Sequence, residues 1–465
     1  MINRVVKNAE EVLKDVKDAL FRNKFLVIYR FLLLISIIFF YYTLVCVPEP
    51  EPIWNFFWDT HDYIQQSRYS VFSMELYAPT PLRWYTPRPF TMPLLYKFVD
   101  GDPVKMFYFQ KYIYASSAVL LTLSLNKLFS NYYFKLLNHF TFLFFFTWWN
   151  IVGWSNNISS ESITTSMFLL WLVALFFYYR KQNILTIILL FISTILLAFI
   201  RDNWTYVLMC FFILNFIGHL FLKKKRVIDS ISFCVLMISI LVFQSYAVKV
   251  GERTKTPVFN DLAVRVSQNE KYLEWFKNEG MPQTAQIVKD FKGIDVKTPE
   301  GRVFIYKRYF DSTYTELFSW ITAKGKSTYQ KFLITHLDYF FLVNESKEDL
   351  KRIFVYNVKG YYQNLKGFYA NADNIFPLFT PLHAIIVSIW CLYFWMKRKR
   401  MFLLLPFILV LLIIVNVFIN YNADTLEVER HLYMTGIMCE FVSILSSFIL
   451  VYYAFLLFKL RGAKK

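Results

Sequence analysis

A chain of 465 residues with 56% hydrophobic and 20% aromatic side chains is too apolar for an ordinary soluble domain. Apolar runs of about 18–22 residues recur along it, and a helix needs roughly 20 residues to cross the hydrocarbon core. The net charge of +18 does not point to nucleic acid. The Lys and Arg residues gather in short clusters between apolar runs, a placement that anchors loops on the cytoplasmic side of a membrane.

Residues 2–20 set Ile2, Val5, Val6, Ala9, Leu13, Val16 and Leu20 at helical spacing between Lys and Glu. The pattern predicts an amphipathic helix on the cytoplasmic membrane surface, or a solvated helical leader. No short apolar segment with a small-residue cleavage site opens the chain, so the first span is expected to stay in place. Ten spans are predicted, at 25–47, 105–127, 132–150, 161–179, 183–200, 203–222, 228–248, 377–396, 401–420 and 436–458. With alternate sides assigned, six basic groups fall on one side: the N-terminus, Lys127/Lys135, Arg180-Lys181, Lys223 to Arg226, Lys397 to Arg400 and Lys459 to Lys465. That side is cytoplasmic by the positive-inside rule, so both termini are expected there.

The outer side then holds the 48–104 loop, the 150–161 loop, the Arg201-Asp202 turn, the 421–434 loop and the long 249–376 segment. The long segment carries mixed charge, and long segments translocate largely regardless of charge. Gln268 to Lys277 is amphipathic and stopped by Gly280-Met281-Pro282, with further helical patterns near 302–323 and 327–342. Its recurring aromatics read as packing residues rather than a sugar platform. The expected fold is an all-α polytopic membrane protein: about ten transmembrane helices, outer-face juxtamembrane helices and a small helical ectodomain. Its parts are a cytoplasmic helix over 1–24, a transmembrane core over 25–248, an extracytoplasmic domain over 249–376 and C-terminal transmembrane helices over 377–465. The five cysteines lie in or beside apolar runs, and neither a disulfide framework nor a metal-type Cys/His spacing is expected.

The candidate chemistry sits on the outer side. Asp59 and Asp62 are three apart, so on a helix both face one way. They are a general base or metal ligand at the membrane surface, or an N-cap and a surface charge. His61 projects elsewhere and reads as a loop residue. Arg83 and Arg88 share that loop and Arg201 lies where the fifth span exits; each can be an interfacial anchor or a two-point phosphate ligand. Ser159-Ser160-Glu161 opens the fourth span, and a Ser cap followed by an acid also has a purely helix-dipole explanation. Glu427, Glu429, Arg430, His431 and Tyr433 crowd the last outer loop, from which Arg430 to Tyr433 could reach back toward the first.

Taken together these residues resemble the C-type glycosyltransferase superfold, especially polyprenyl- or dolichyl-phosphate-mannose-dependent transferases and aminoarabinose transferases. The resemblance rests on Asp59, Tyr63, Arg88-Pro89-Phe90-Thr91-Met92-Pro93, Ser160-Glu161, Arg201 and the Arg430 to Tyr433 element. The chain departs from the family in spacing its two acids apart and in placing Asp202 after Arg201. The resemblance implies inverting transfer of a sugar from a polyprenyl-phosphate donor to an acceptor hydroxyl on a glycan, lipid or protein, at the outer face of a bacterial plasma membrane. Asp59, or else Asp62, is then the base. Arg88, Arg201 and Arg430 face the donor phosphate, and Tyr63, Trp84, Tyr85, Glu161, His431 and Tyr433 contact sugar and acceptor. Participation of a divalent metal stays open. A polysaccharide polymerase or ligase would use Arg and His of the long segment, where His336 is the only histidine. A lipid or sugar transporter would carry ionisable residues at mid-membrane, where these spans read as nearly uncharged apart from His139.

Overall fold

The computed structural model describes residues 26–46, 58–80, 87–147, 149–152, 158–181, 183–221, 227–295, 298–309, 311–343, 381–398, 403–423 and 428–462. The expected helix over 2–20, the basic cluster Lys223 to Arg226 and the 344–376 part of the long segment lie outside these residues. What is described is helical, without a strand.

A helix lies over each of the ten predicted runs. In chain order they are α1 (Leu26–Leu44), α5 (Pro103–Leu125), α6 (Tyr132–Phe146), α8 (Ser160–Arg180), α9 (Ile184–Ala198), α10 (Asn203–Phe221), α11 (Val227–Val250), α19 (Pro381–Arg398), α20 (Leu405–Ala423) and α21 (Val428–Gly462). Among the described residues five are long and apolar enough to cross a membrane: α1, α8, α11, α20 and α21. The others are shorter or more polar. At 15 residues, α9 spans about 22 Å against a core of about 30 Å. The 132–150 run breaks at Thr147, where α6 ends and the four-residue α7 (Trp149–Val152) follows. Large apolar side chains stand exposed along α1 and α11, among them Phe31, Ile38, Val235 and Val242. Contiguous apolar surface of this kind on helices of this length suits lipid.

Packing follows sequence order. α5 packs on α8, α8 on α9, α10 on α11, and α19 and α20 both pack on α21. Between α1 and α5 the loop holds three short helices: α2 (Trp58–Ser67), α3 (Met74–Tyr77) and α4 (Thr91–Phe98). Tyr63, Phe90, Met92 and Tyr96 from this loop belong to the same apolar core as the long helices. The loop is therefore part of the packed body. The carbonyls that end α9 fix α4, since Phe199 accepts from the Thr91 amide (3.2 Å) and Leu196 from its hydroxyl (3.0 Å).

A second apolar core is built by α12 (Lys255–Val264), α13 (Glu270–Asn278), α14 (Thr284–Phe291), α15 (Pro299–Arg308), α16 (Thr315–Trp320), α17 (Lys326–Thr335) and α18 (Leu337–Phe340). The Asn269 side chain caps α13 at its start. At its end Gly280 takes φ +86°, a left-handed conformation that suits glycine. The 302–323 pattern is two helices rather than one, divided by a turn whose Asp311 side chain accepts from the Thr313 amide. Tyr314, Phe318, Tyr329, Phe332 and Tyr339 are interior, which makes them packing residues. His336 stacks on Phe332 with centroids 4.5 Å apart, also a packing position. This unit grips the end of α20: Arg265 donates to the Tyr421 carbonyl (2.5 Å) and lies 3.6 Å over its ring, and Tyr329 donates to the Asn422 carbonyl (3.1 Å).

Candidate functional site

One face of α2 is polar where an amphipathic helix is ordinarily apolar. Asp59, Asp62, Tyr63 and Gln66 recur at i, i+3, i+4 and i+7, which brings them together. α2 begins at Trp58, so Asp59 stands inside the first turn and is not its cap. Both carboxylates meet Arg88. Its Nη2 lies 2.6 Å from Asp59 Oδ1 and 2.9 Å from Asp62 Oδ2, and its Nε donates to that same Oδ2 at 3.0 Å. Burial opposes the guanidinium charge, but Asp59 and Asp62 outweigh it and hold the Arg88 pKa above its usual value.

Gln66, fully buried, sets the position of Arg88. Its Oε1 accepts from the Arg88 amide (2.9 Å) while its Nε2 donates to the Arg88 carbonyl (2.9 Å) and to that of Leu76 (2.8 Å). His61 is exposed on the other side of α2.

The start of α8 is tied to α2 by the Thr60 hydroxyl, which donates to the Ile158 carbonyl at 2.6 Å. Ser159 is the cap residue of α8 by position, yet its hydroxyl makes no capping bond. Glu161 is wholly buried and reaches Arg201 Nη1 at 3.1 Å. A carboxylate in the first turn gains from the helix dipole, and here it also holds a cation. Arg201 Nη2 donates to His431 Nδ1, and the Tyr433 hydroxyl donates to the Glu161 carbonyl and meets Thr165 at 3.0 Å. The late element therefore reaches α8 and the α9–α10 turn.

Tyr63 joins the two clusters. It is 3% exposed, hydrogen-bonds Ser160 and lies in the fields of Asp59, Arg88 and Glu161. Burial first, and then Asp59, push its hydroxyl pKa well up, so it stays a neutral donor across the physiological range. Asp59, Asp62, Tyr63, Arg88, Glu161, Arg201, His431 and Tyr433 thus form one neighbourhood in which three carboxylates face two guanidiniums. Trp84, Tyr85 and the side chain of Arg430 lie outside the described residues. Among the described residues no group of three or more His, Cys, Asp and Glu side chains could hold a metal ion.

Three features of this region go beyond what the sequence alone suggests. Gln66 is one. An asparagine ladder is the second: Asn203 donates to Asn416 Oδ1 (3.0 Å), Asn416 to the Thr435 hydroxyl (3.0 Å) and Asn420 to Asn416 Oδ1 (2.7 Å). It ties the Arg201 turn to α20 and α21. A signal for it is present in the chain, because Asn416 and Asn420 are four apart in an apolar run, as polar residues on one helix face would be. The third is Glu440, which lies inside the 28-residue apolar stretch His431–Phe458, about 13 Å along α21 from His431. With Lys111, 4% exposed in α5, it places an ionisable group within a predicted span, toward its end and away from its centre.

No known protein family, curated protein or solved structure matches the chain. Fold and site together define an all-helical membrane protein with a charged, largely buried cluster where its loop helices meet the ends of its long helices.

Proposed function

We propose that the protein is a membrane glycosyltransferase that moves a sugar from a polyprenyl-phosphate donor to an acceptor hydroxyl at the outer face. The observation that carries this reading is the asymmetry of the two aspartates. Asp62 Oδ2 takes two contacts from Arg88, whereas Asp59 takes one, and Asp59 is the more exposed, at 13% against 9% of its side chain. Asp62 is then the anchor of the guanidinium, and the slightly more exposed Asp59 is the base.

In the reaction the acceptor oxygen attacks the anomeric carbon as its proton passes to Asp59. The bond from that carbon to the phosphate oxygen breaks, and the electron pair leaves with the phosphate. A general base of this kind contributes about 10²–10⁴-fold. The leaving phosphate needs positive charge rather than a proton, and Arg88 and Arg201 are the guanidiniums of the cluster. Neutral Tyr63, between the two clusters, offers a hydroxyl to the sugar. The direct test incubates purified protein in detergent with a polyprenyl-phosphate sugar and candidate acceptors, and measures free polyprenyl phosphate. Release supports transfer; an intact donor with every acceptor removes this reading.

The outward orientation of the cluster rests on the one-sided Lys and Arg clusters. In a cysteine-free background, an impermeant thiol reagent applied to intact cells is expected to label a cysteine at Lys277 and spare one at Lys224. The reverse pattern overturns the orientation. Glu440 and Lys111 favour a second reading, a lipid or sugar transporter, because ionisable groups within spans mark translocation paths. Movement of the lipid across vesicles without release of its phosphate would select it.

A further inference from the structure

We propose that residues 334–343, where the second unit ends, insert into the membrane leaflet reached by the Ala423 end of α20, with lipid acyl chains as their partner. Among the described residues from α12 to Val343, five large apolar side chains are exposed: Val303, Ile334, Leu337, Phe341 and Val343. Four of the five therefore fall within one short stretch, each of them 51–74% exposed. The rest of the unit exposes Val303 alone. A cluster of this kind marks contact with another protein or with a membrane.

Its position decides between those partners. Phe340 stacks on Phe418 of α20 with ring centroids 5.4 Å apart, and Phe341 meets the same ring edge-on at 5.2 Å. The Phe340 carbonyl accepts from Asn422 Nδ2 at 3.3 Å. α20 has 19 residues, so at about 1.5 Å per residue it matches a hydrocarbon core of about 30 Å. Phe418 lies five residues, about 7 Å, short of the Ala423 end. α18 is thus held against a span at a depth that belongs to acyl chains.

Leu342 fixes which side chains face outward. It takes φ +61°, a left-handed conformation that favours glycine. Its amide donates to the Tyr339 carbonyl (3.2 Å), and that of Val343 to the Asp338 carbonyl (3.0 Å), the paired bonds that close a helix at such a residue. The turn buries Leu342 among Val417, Tyr421 and Leu432 and leaves Phe341 and Val343 outside. A leucine at a glycine position is explained by that buried contact. The segment also meets what hydrocarbon demands of a backbone, since no water is there to satisfy it. Each amide from Tyr339 to Val343 is bonded to a carbonyl of residues 336–339, at 2.9–3.2 Å. Its one carboxylate, Asp338, accepts from the Tyr272 hydroxyl (3.1 Å), and the Thr335 hydroxyl donates to the Lys331 carbonyl (3.0 Å). The contact requires only that α20 span a membrane, and it does not depend on the transferase reading.

The test uses the full chain in nanodiscs, cysteine-free apart from Leu337→Cys, Phe341→Cys or Val343→Cys, each carrying an environment-sensitive fluorophore. Lys277→Cys, at an exposed side chain of the same unit, is the water-facing reference, and Val242→Cys of α11 the lipid-facing one. Iodide is expected to quench the three labels at least about threefold less than the Lys277→Cys label. Phosphatidylcholine with a nitroxide on its acyl chain should quench them as it does the Val242→Cys label. Iodide quenching equal to that at Lys277→Cys places the segment in water and overturns the proposal. Protection from iodide and acyl nitroxide alike means that protein covers the surface, residues 344–376 or a second copy, and overturns it too. Stronger quenching by a headgroup nitroxide than by the acyl one contradicts insertion. The unaltered chain gives a second readout that no substitution can disturb. A lipid with a photoreactive diazirine in its acyl chain should label peptides covering 334–343 as well as α11; label on α11 without any on 334–343 refutes the contact.

Discussion

Asp59→Asn is expected to leave the protein folded and the donor bound while sugar transfer falls by at least about 10²-fold. Asparagine keeps the size of the side chain and an oxygen that can accept from Arg88 Nη2, now 2.6 Å from Asp59 Oδ1. It removes the charge that makes the carboxylate a base. Asp62→Asn should act differently, since Asp62 Oδ2 receives both Nε and Nη2 of Arg88. Weakening those contacts loosens the guanidinium, so a rise in donor KM should accompany any fall in kcat. The check is steady-state turnover of both purified variants with a polyprenyl-phosphate sugar, beside their Tm values. Near-parental turnover by a folded Asp59→Asn would pass the role to Asp62 or Glu161.

Arg201→Ala has the second large effect, on two quantities at once. Glu161 has no exposed side-chain surface and Arg201 is 15% exposed. Removing the cation strands a buried carboxylate, which costs about 3–5 kcal/mol in comparable pairs. Donor binding should weaken as well, if this guanidinium faces the phosphate. Arg201→Lys keeps the charge but loses the planar fork that serves Glu161 and His431 together, and should fall between parent and alanine. The double variant Glu161→Gln/Arg201→Met separates the two effects. It should recover most of the lost stability, because neither charge is left unpaired, yet stay defective in donor binding. Thermal melts and donor titrations of the parent, Glu161→Gln, Arg201→Met and the double variant complete the cycle. Full recovery of binding in the double variant would reduce Arg201 to a structural partner of Glu161.

Much of this neighbourhood is legible in the amino-acid sequence. The polar face of α2 follows from the three-residue spacing of Asp59 and Asp62, and counting Lys and Arg clusters puts Arg88, Glu161 and Arg201 on a common side. What the chain does not declare is who holds whom. Glu161 and Arg201 are 40 residues apart and His431 is 230 residues from Arg201; only the packing of α8, α10 and α21 brings them within a hydrogen bond. By sequence the late element could reach toward the first loop, but the bond from the Tyr433 hydroxyl to the Glu161 carbonyl is not legible there. Gln66 gives no signal because it acts through two backbone groups of a residue 22 positions away. Span lengths are hard to read for a similar reason: a run such as 132–150 shows hydropathy but not that the helix stops at Phe146.

The most direct test of the account is a density map of the full chain in a nanodisc loaded with a polyprenyl-phosphate sugar. The predicted result places the anomeric carbon beside Asp59, the phosphate within hydrogen-bonding reach of Arg88 or Arg201, and the isoprenoid chain among the long helices. A donor lipid bound elsewhere, with the Asp59–Arg88 and Glu161–Arg201 pairs untouched by it, would contradict the assignment of this cluster as the transfer site.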